Sequence, residues 1–352
     1  MARLEFFRPS LEMVKLIGEI DEFKGSWRLV SSISPERLAA LQLVATIESI
    51  GSSTRIEGAV LSDREVEQLL SGLNAQSFRT RDEQEVAGYA EVMRTLFAEA
   101  AEIPISENHI KQLHGSLLKY SVKDDRHRGQ YKTVANHVEA TAQDGRKWIV
   151  FETTSPFETP FKMTDLVNWT REAFEKRSIH SLLATGAFIA EFLAIHPFKD
   201  GNGRLSRVLT TLLLLKAGYS YVPYSSLESI VEDNKESYYL ALRKTQQTLK
   251  DDTPNWDPWM LFFLQSMHKQ MERLKEKIAR EHLLEGDMPA LSIRILELVR
   301  EKGSLQMSEL EHLLGESRSK IKARVQDLVE SRDLIRHGKA RSTWYTVRNS
   351  SM

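Results

Sequence analysis

The sequence predicts a mainly α-helical fold: a helical domain interrupted by one small β-hairpin, then a compact C-terminal domain of three helices and a second hairpin. Three observations predict it. Residues 179–195 and 204–217 are apolar on nearly every face, the pattern of helices buried all round. Helix start signals, a Ser or Thr cap or a Pro in the first turn, recur along the chain. Strand-like runs of β-branched and aromatic residues around a turn are confined to 128–160 and to the last twenty residues. At 352 residues the chain has room for about two domains and a sizeable core. The expected division is an N-terminal helical region, 1–110, a core, 111–285, and a C-terminal domain, 289–352.

Taken in order, Met1 to Ser32 is poorly periodic and reads as an arm packed on the core. Ser34 as cap and Pro35 at the first helical position open a helix through ERLAALQLVATIESI. SSTRIEGA follows directly. Ser62 with Glu65 makes a capping box for SDREVEQLL, and a further helix covers about 83–100. Ser106 caps ENHIKQLHGSLLKYS, whose His109 and His114 have no metal-ligand spacing near them and read as structural or surface residues. The hairpin turns at Asp144-Gly145. Thr164 caps DLVNWTREAFEKR, and Asp257-Pro258 opens a long helix that breaks at Gly286 to Pro289.

Between the two apolar helices lies HPFKDGNGRLSR, His196 to Arg207. Pro197 stops the first helix, and the Gly201-Asn202-Gly203 turn opens the second. The first N–H groups of a helix are unpaired and carry the positive end of its dipole, which suits a phosphate. Arg204 and Arg207, three apart on one face, are expected to reach the same anion, since guanidinium forks match phosphate oxygens. Asp200 is a hard oxygen ligand of the kind Mg2+ shares with substrate phosphates. His196, with an ordinary pKa of about 6.5, can accept a proton from a hydroxyl nucleophile. Each residue alone has a structural explanation, yet a core helix has no packing reason to begin with Gly-Asn-Gly and two arginines.

HPFKDGNGRLSR matches H-P-F-x-[D/E]-G-N-[G/K]-R-x-x-R at every fixed position, and so the chain resembles the Fic family. The resemblance implies an all-α catalytic fold that binds ATP and Mg2+ and transfers AMP to a Ser, Thr or Tyr hydroxyl of a protein target or of itself. On that likeness His196 is the base and Asp200 the metal ligand. Gly201, Asn202 and Gly203, with Leu205 and Ser206 after them, line the nucleotide phosphates, and Arg204 and Arg207 bind the distal ones. Transfer of UMP, phosphate or phosphocholine, removal of AMP, and nucleotide sensing without turnover by a DNA-binding regulator remain open alternatives.

Ser53-x-x-x-Glu57-Gly58 fits [S/T]-x-x-x-E-[G/N], which in many Fic proteins marks an inhibitory helix, here about 52–59. Residues i and i+4 share a helical face. The resemblance implies that Glu57 pairs with Arg207 and so excludes the γ-phosphate. It also makes the hairpin, about 130–155, a flap on which an extended target segment adds as a strand. Thr153 and Thr154 within it, and Tyr238-Tyr239 further on, are then candidates for nucleotide contact. Adjacent residues lie about 100° apart on a helix, so one tyrosine at most faces the pocket. A homodimer is expected.

In the C-terminal stretch, LSIRILELVRE places Ile295, Leu298 and Val299 at helical spacing, Ser308 caps a short helix, and Ser317 caps RSKIKARVQDLVESR. The two strands of LIRHGKARSTWYTV follow, an order resembling a winged helix-turn-helix domain. That likeness implies DNA or a docked protein as a partner, with Arg318, Lys320, Lys322 and Arg324 on the third helix and Arg336, Lys339 and Arg341 in the wing placed for phosphates if it is DNA. From Pro289 onward there are 12 basic and 8 acidic residues, a net of +4, against −5 for the remainder. Absence of cysteine excludes disulfides and thiolate metal sites. The N-terminus has no signal-peptide pattern and no apolar run spans a membrane, so a soluble cytoplasmic protein is expected.

Overall fold

The computed structural model describes residues 4–5, 7–27, 35–72, 78–141, 147–286, 289–331, 333–338 and 343–347. Ser34, the Asp144-Gly145 turn, and Lys339 and Arg341 lie outside them. The described residues are mainly helical, with 14 α-helices and five short strands. The chain divides into two compact units, one of Met1–Ser32 and Leu38–Leu274, the other of Ile33–Arg37 and Lys275–Met352. No helix among the described residues is long and apolar enough to cross a membrane.

In the first unit the N-terminal arm is a helix, α1 (Leu11–Trp27), which its sparse pattern hides: Met13, Ile20 and Phe23 are buried while Leu11 and Val14 face outward. Its aromatic end packs on Tyr221 and Tyr224. Its Asp21 accepts from Tyr219 at 2.6 Å and lies 2.9 Å from His180. Then come α2 (Pro35–Ile56), α3 (Asp63–Ser71), α4 (Arg81–Glu99) and α5 (Glu107–Leu117). The Ser62/Glu65 capping box is formed, and Thr80 with Glu83 makes a second one at α4. Helix α2 runs on through Ser52 and Ser53 to Ile56, so residues 52–56 are not a separate helix but the end of this one, and Glu57 and Gly58 form the turn after it. Residues 49–54 are buried, and packing outweighs the poor helix propensity of Gly and Ser.

The hairpin is β1 (His137–Thr141) antiparallel to β2 (Lys147–Glu152), with a register shift at Val138/Glu139. Helix α6 (Thr159–Lys176) starts earlier than its sequence suggests: Pro160 is in its first turn, and Thr164, inside the helix, donates to Glu107 at 2.7 Å. Helices α7 (Ser181–Ile195) and α8 (Asn202–Lys216) form the centre, α7 packing on both α6 and α8. Around them lie α9 (Leu227–Asp233), α10 (Lys235–Gln246) and the first part of α11 (Asp257–Gly286), whose Trp259 indole donates to Gly186 O at 2.6 Å.

The second unit holds α12 (Ala290–Lys302), β3 (Leu305–Gln306), α13 (Met307–Leu314), α14 (Arg318–Glu330), β4 (Leu334–His337) and β5 (Trp344–Val347). Its strands pair antiparallel in the order β3-β5-β4, over a core that includes Ile295, Val299, Leu310, Ile321, Val325 and Tyr345. Strand β3 was not expected from the sequence, being two residues long. Gln306, not Ser308, caps α13, in a box with Glu309.

Candidate active site

Helix α7 ends because Pro197 cannot continue it. His196 caps it in the left-handed region, φ 52° and ψ 60°, with its N–H bonded to Phe192 O at 2.8 Å. For a residue with a Cβ this conformation costs about 1–2 kcal/mol, so its surroundings must hold it. The chain then turns into α8 through Gly201 at φ 79°, which glycine adopts without that cost. The first intrahelical bond of α8 is Leu205 N to Gly201 O, leaving the N–H groups of Asn202, Gly203 and Arg204 ahead of it.

His196 Nδ1 lies 3.3 Å from Leu193 O. A carbonyl only accepts, so Nδ1 carries the hydrogen and Nε2 is left as the acceptor. Burial pushes this imidazole down to about 4, well below the ordinary histidine value, so it is neutral at pH 7.

Asp200 sits in a closed ring of charge. Its Oδ1 accepts from Gly201 N at 2.6 Å and lies 3.4 Å from Arg204 Nη2, while Oδ2 accepts from Arg81 at 3.0 Å. Glu85 on α4 completes the ring, 2.8 Å from Arg81 and 3.1 Å from Arg204. Burial would raise the Asp200 carboxyl, but Arg204, the Gly201 N–H and Arg81 outweigh it and hold it below its ordinary range. A single ionised carboxylate suits a divalent ion that also takes phosphate oxygens and water. Among the described residues no cluster of three or more His, Asp or Glu would hold a metal without a nucleotide.

The two arginines diverge, contrary to the expectation that both reach one anion. Arg204 is 2 % exposed and committed to Glu85 and Asp200. Arg207 points to the end of α2: its Nε donates to Ser53 Oγ at 2.8 Å, and Nη2 donates to Ser53 O and to Glu57 Oε1, both at 2.8 Å. Each guanidinium has its own carboxylate partner, Glu85 of α4 for Arg204 and Glu57 for Arg207. Glu57 stands just beyond the last turn of α2, and a Cβ on Gly203 would collide with its carboxylate. An acidic side chain thus occupies the N-terminal mouth of α8, at the positive end of that helix's dipole.

The remaining named residues fall in several places. Asn202 spends its side chain on the turn, accepting from Phe198 N at 2.9 Å and donating to Phe198 O at 2.8 Å. Leu205 is core, and Ser206 donates back to Gly203 O. Tyr238 is buried against Trp259, whereas Tyr239 is exposed. Thr153 Oγ1 is taken up by Lys132 and Asn136, and Thr154 N donates to Ala194 O at 3.4 Å.

Sequence reasoning missed the residues that hold the turn from behind. His114, taken only as structural or surface, is fully buried and stacks on Phe198 at 3.8 Å. Its Nδ1 accepts from Gly129 N at 2.8 Å, so Nε2 carries the hydrogen and donates to Asp200 O at 3.0 Å. Burial pushes its pKa down to about 4. Lys132, Asn136, Arg81 and Glu85 had no local signal, because they meet the turn only through the fold.

A sequence profile of the Fic/DOC family matches residues 104–214. A probable protein adenylyltransferase of Aquifex aeolicus is 31% identical over 97 residues, 28% of this chain and 27% of that protein. Protein adenylyltransferase Fic of Drosophila grimshawi is 25% identical over 201 residues, 56% of this chain and 38% of that one. The chain therefore spans well under half the length of either relative. A solved Fic family protein from Desulfovibrio desulfuricans shares the fold, with a TM-score of 0.63 over 98% of both chains at 20% identity. On its His196–Arg207 turn, its helical architecture and these likenesses, the chain carries a Fic/DOC family domain at residues 104–214.

Proposed function

We propose that this protein is an adenylyltransferase that moves AMP from ATP to a hydroxyl of a protein target or of itself, and that Glu57 holds it inactive. The observation that carries the reading is the Glu57 carboxylate, bonded to Arg207 and lying over Gly203, opposite a His196 whose Nε2 is unprotonated. With Glu57 withdrawn, Arg207 and the first N–H groups of α8 are left to bind phosphate oxygens. His196 Nε2 takes the hydroxyl proton as the target oxygen bonds to the α-phosphorus, and pyrophosphate leaves with its electron pair. Asp200 fits as ligand to Mg2+, which when bound would neutralise phosphate charge. The exposed Tyr239 is the better placed of the tyrosine pair to meet a nucleoside. The ribbon of β1 and β2 fits the docking of an extended target segment by strand addition.

The test is incubation with ATP labelled at the α-phosphate and Mg2+, comparing the native chain with Glu57→Gly and Glu57→Gly/His196→Ala. Label transfer rising at least about tenfold in the first variant and vanishing in the second is expected, since one charged hydrogen bond is worth about 1.5–3 kcal/mol. Transfer that is indifferent to His196 rejects the reading. The same assay with other nucleotides tests UMP transfer, and pre-labelled protein tests removal of AMP.

A further inference from the structure

Lys132, five residues ahead of β1 and in no recognisable motif, is 5 % exposed and reaches the carbonyl of Ile195, the residue before His196. Its ammonium donates to Asn136 Oδ1 at 2.8 Å, Thr153 Oγ1 at 2.9 Å and Ile195 O at 3.0 Å. All three acceptors are neutral, and a neutral amine has only two hydrogens to give, so the arrangement calls for the charged form. A methionine would fill the same space without the desolvation of a cation.

The contacts converge on one stretch of backbone. Lys132 N donates to Pro197 O at 2.8 Å, and Asn136 Nδ2 to Phe198 O at 2.8 Å and His196 O at 3.4 Å. Residues 132 and 136 therefore hold four successive carbonyls, 195 to 198, across the turn where His196 is left-handed. Thr153, which follows β2 directly, donates to Asn136 O at 2.8 Å. Both ends of the hairpin are thus tied to the backbone that carries the imidazole.

We propose that Lys132 is a positioning residue for His196, its ammonium pinning the hairpin stem to the Ile195 carbonyl so that the imidazole is presented in one orientation. The proposal rests on the transferase reading, in which His196 is the base. A cation here also favours the neutral ring. The other charged groups that face the imidazole, Glu57 from the end of α2 and Asp200 from its own loop, act in the opposite sense. Lys132 itself is pushed down to about 8 by burial and keeps its charge at pH 7.

The experiment places Lys132→Met and Lys132→Arg in the Glu57→Gly background. It measures kcat for AMP transfer, ATP affinity by calorimetry, and the His196 titration by 13C-histidine NMR. Lys132→Met is expected to lower kcat about 100-fold, the scale of a displaced catalytic group, at nearly unchanged ATP affinity. The His196 titration moves upward, and Lys132→Arg recovers most of kcat. An unchanged kcat in Lys132→Met, an equal loss in both variants, or an unmoved titration overturns the proposal. If Glu57→Gly shows no transfer, the adenylyltransferase reading fails while the titration still decides on Lys132. If Lys132→Met does not fold, Thr153→Val removes one acceptor and keeps the charge: a kcat lowered about tenfold supports the pin and an unaltered one rejects it.

Discussion

Arg207 is held by two residues of different kinds. Ser53 gives it an oxygen from the side chain and one from the backbone, and Glu57 gives it a charge. Removing Glu57 leaves the guanidinium bonded, so Glu57→Gly is expected to lose no more than about 2 kcal/mol of stability in urea titrations. Removing Arg207 acts on the ligand instead. In the Glu57→Gly background, Arg207→Ala should weaken ATP binding by about one to two orders of magnitude, read by calorimetry.

Two histidines carry a second prediction at this scale. His114 and His196 are both pushed down to about 4 by burial. Between pH 6.5 and 4 the unfolded chain binds protons at these positions and the folded chain does not. Stability from these groups is therefore complete above pH 6.5 and is lost as pH falls toward 4. At pH 5 the loss amounts to up to about 2 kcal/mol per histidine, and chemical denaturation at pH 7 and pH 5 measures it. His114→Phe keeps the ring stacked on Phe198 but orphans Asp200 O and Gly129 N. It should cost about 1–3 kcal/mol and reduce the pH dependence.

Among the elements, the position of the proposed brake depends on how the end of α2 is anchored. Arg55 binds Glu232 on α9 at 2.7 and 3.0 Å, Asp63 at the start of α3 at 2.8 Å, and Leu61 O at 3.0 Å. Two residues later Glu57 meets Arg207. Arg55→Ala, with Glu57 intact, is expected to raise basal label transfer by a few fold and to lower the melting temperature by several degrees. An equal melting loss without added transfer would mean that α2 stays seated by packing alone.

For the whole molecule, the second unit is proposed as a DNA-binding module. Its Arg318, Lys320 and Arg324 already lie against Glu311, Glu316 and Asp327 at 3.0, 3.2 and 2.9 Å. With three of the four cations of α14 engaged in this way, the full chain is expected to bind duplex DNA with a shallow salt slope. Lys322→Ala should reduce that slope by about one.

Legibility in the sequence follows the range of the interactions. The α7-turn-α8 unit could be read because its signals, apolar runs, a proline and a glycine turn, are contiguous. Capping boxes could be read for the same reason. Helix α1 escaped because three buried residues in seventeen leave no clear stripe, and α2 was cut short because Gly51 to Ser53 look like a break. Of the candidate site, the turn that carries His196 and Asp200 and the pairing of Glu57 with Arg207 could be read. Lys132, Asn136, His114, Arg81 and Glu85 could not, since each is an ordinary polar residue until the fold brings it against the turn.

The ring around Asp200 has an asymmetry with a consequence for the order of events. Arg204 cannot withdraw, because it would abandon a charge in a dry interior, whereas Arg81 is half in water and can leave Asp200 while its Nε stays on Glu85. Any ligand needing the second oxygen of Asp200 must therefore evict the arginine of α4. In the proposed reaction that cation would stand in for a metal ion, keeping the aspartate's charge balanced before nucleotide binds.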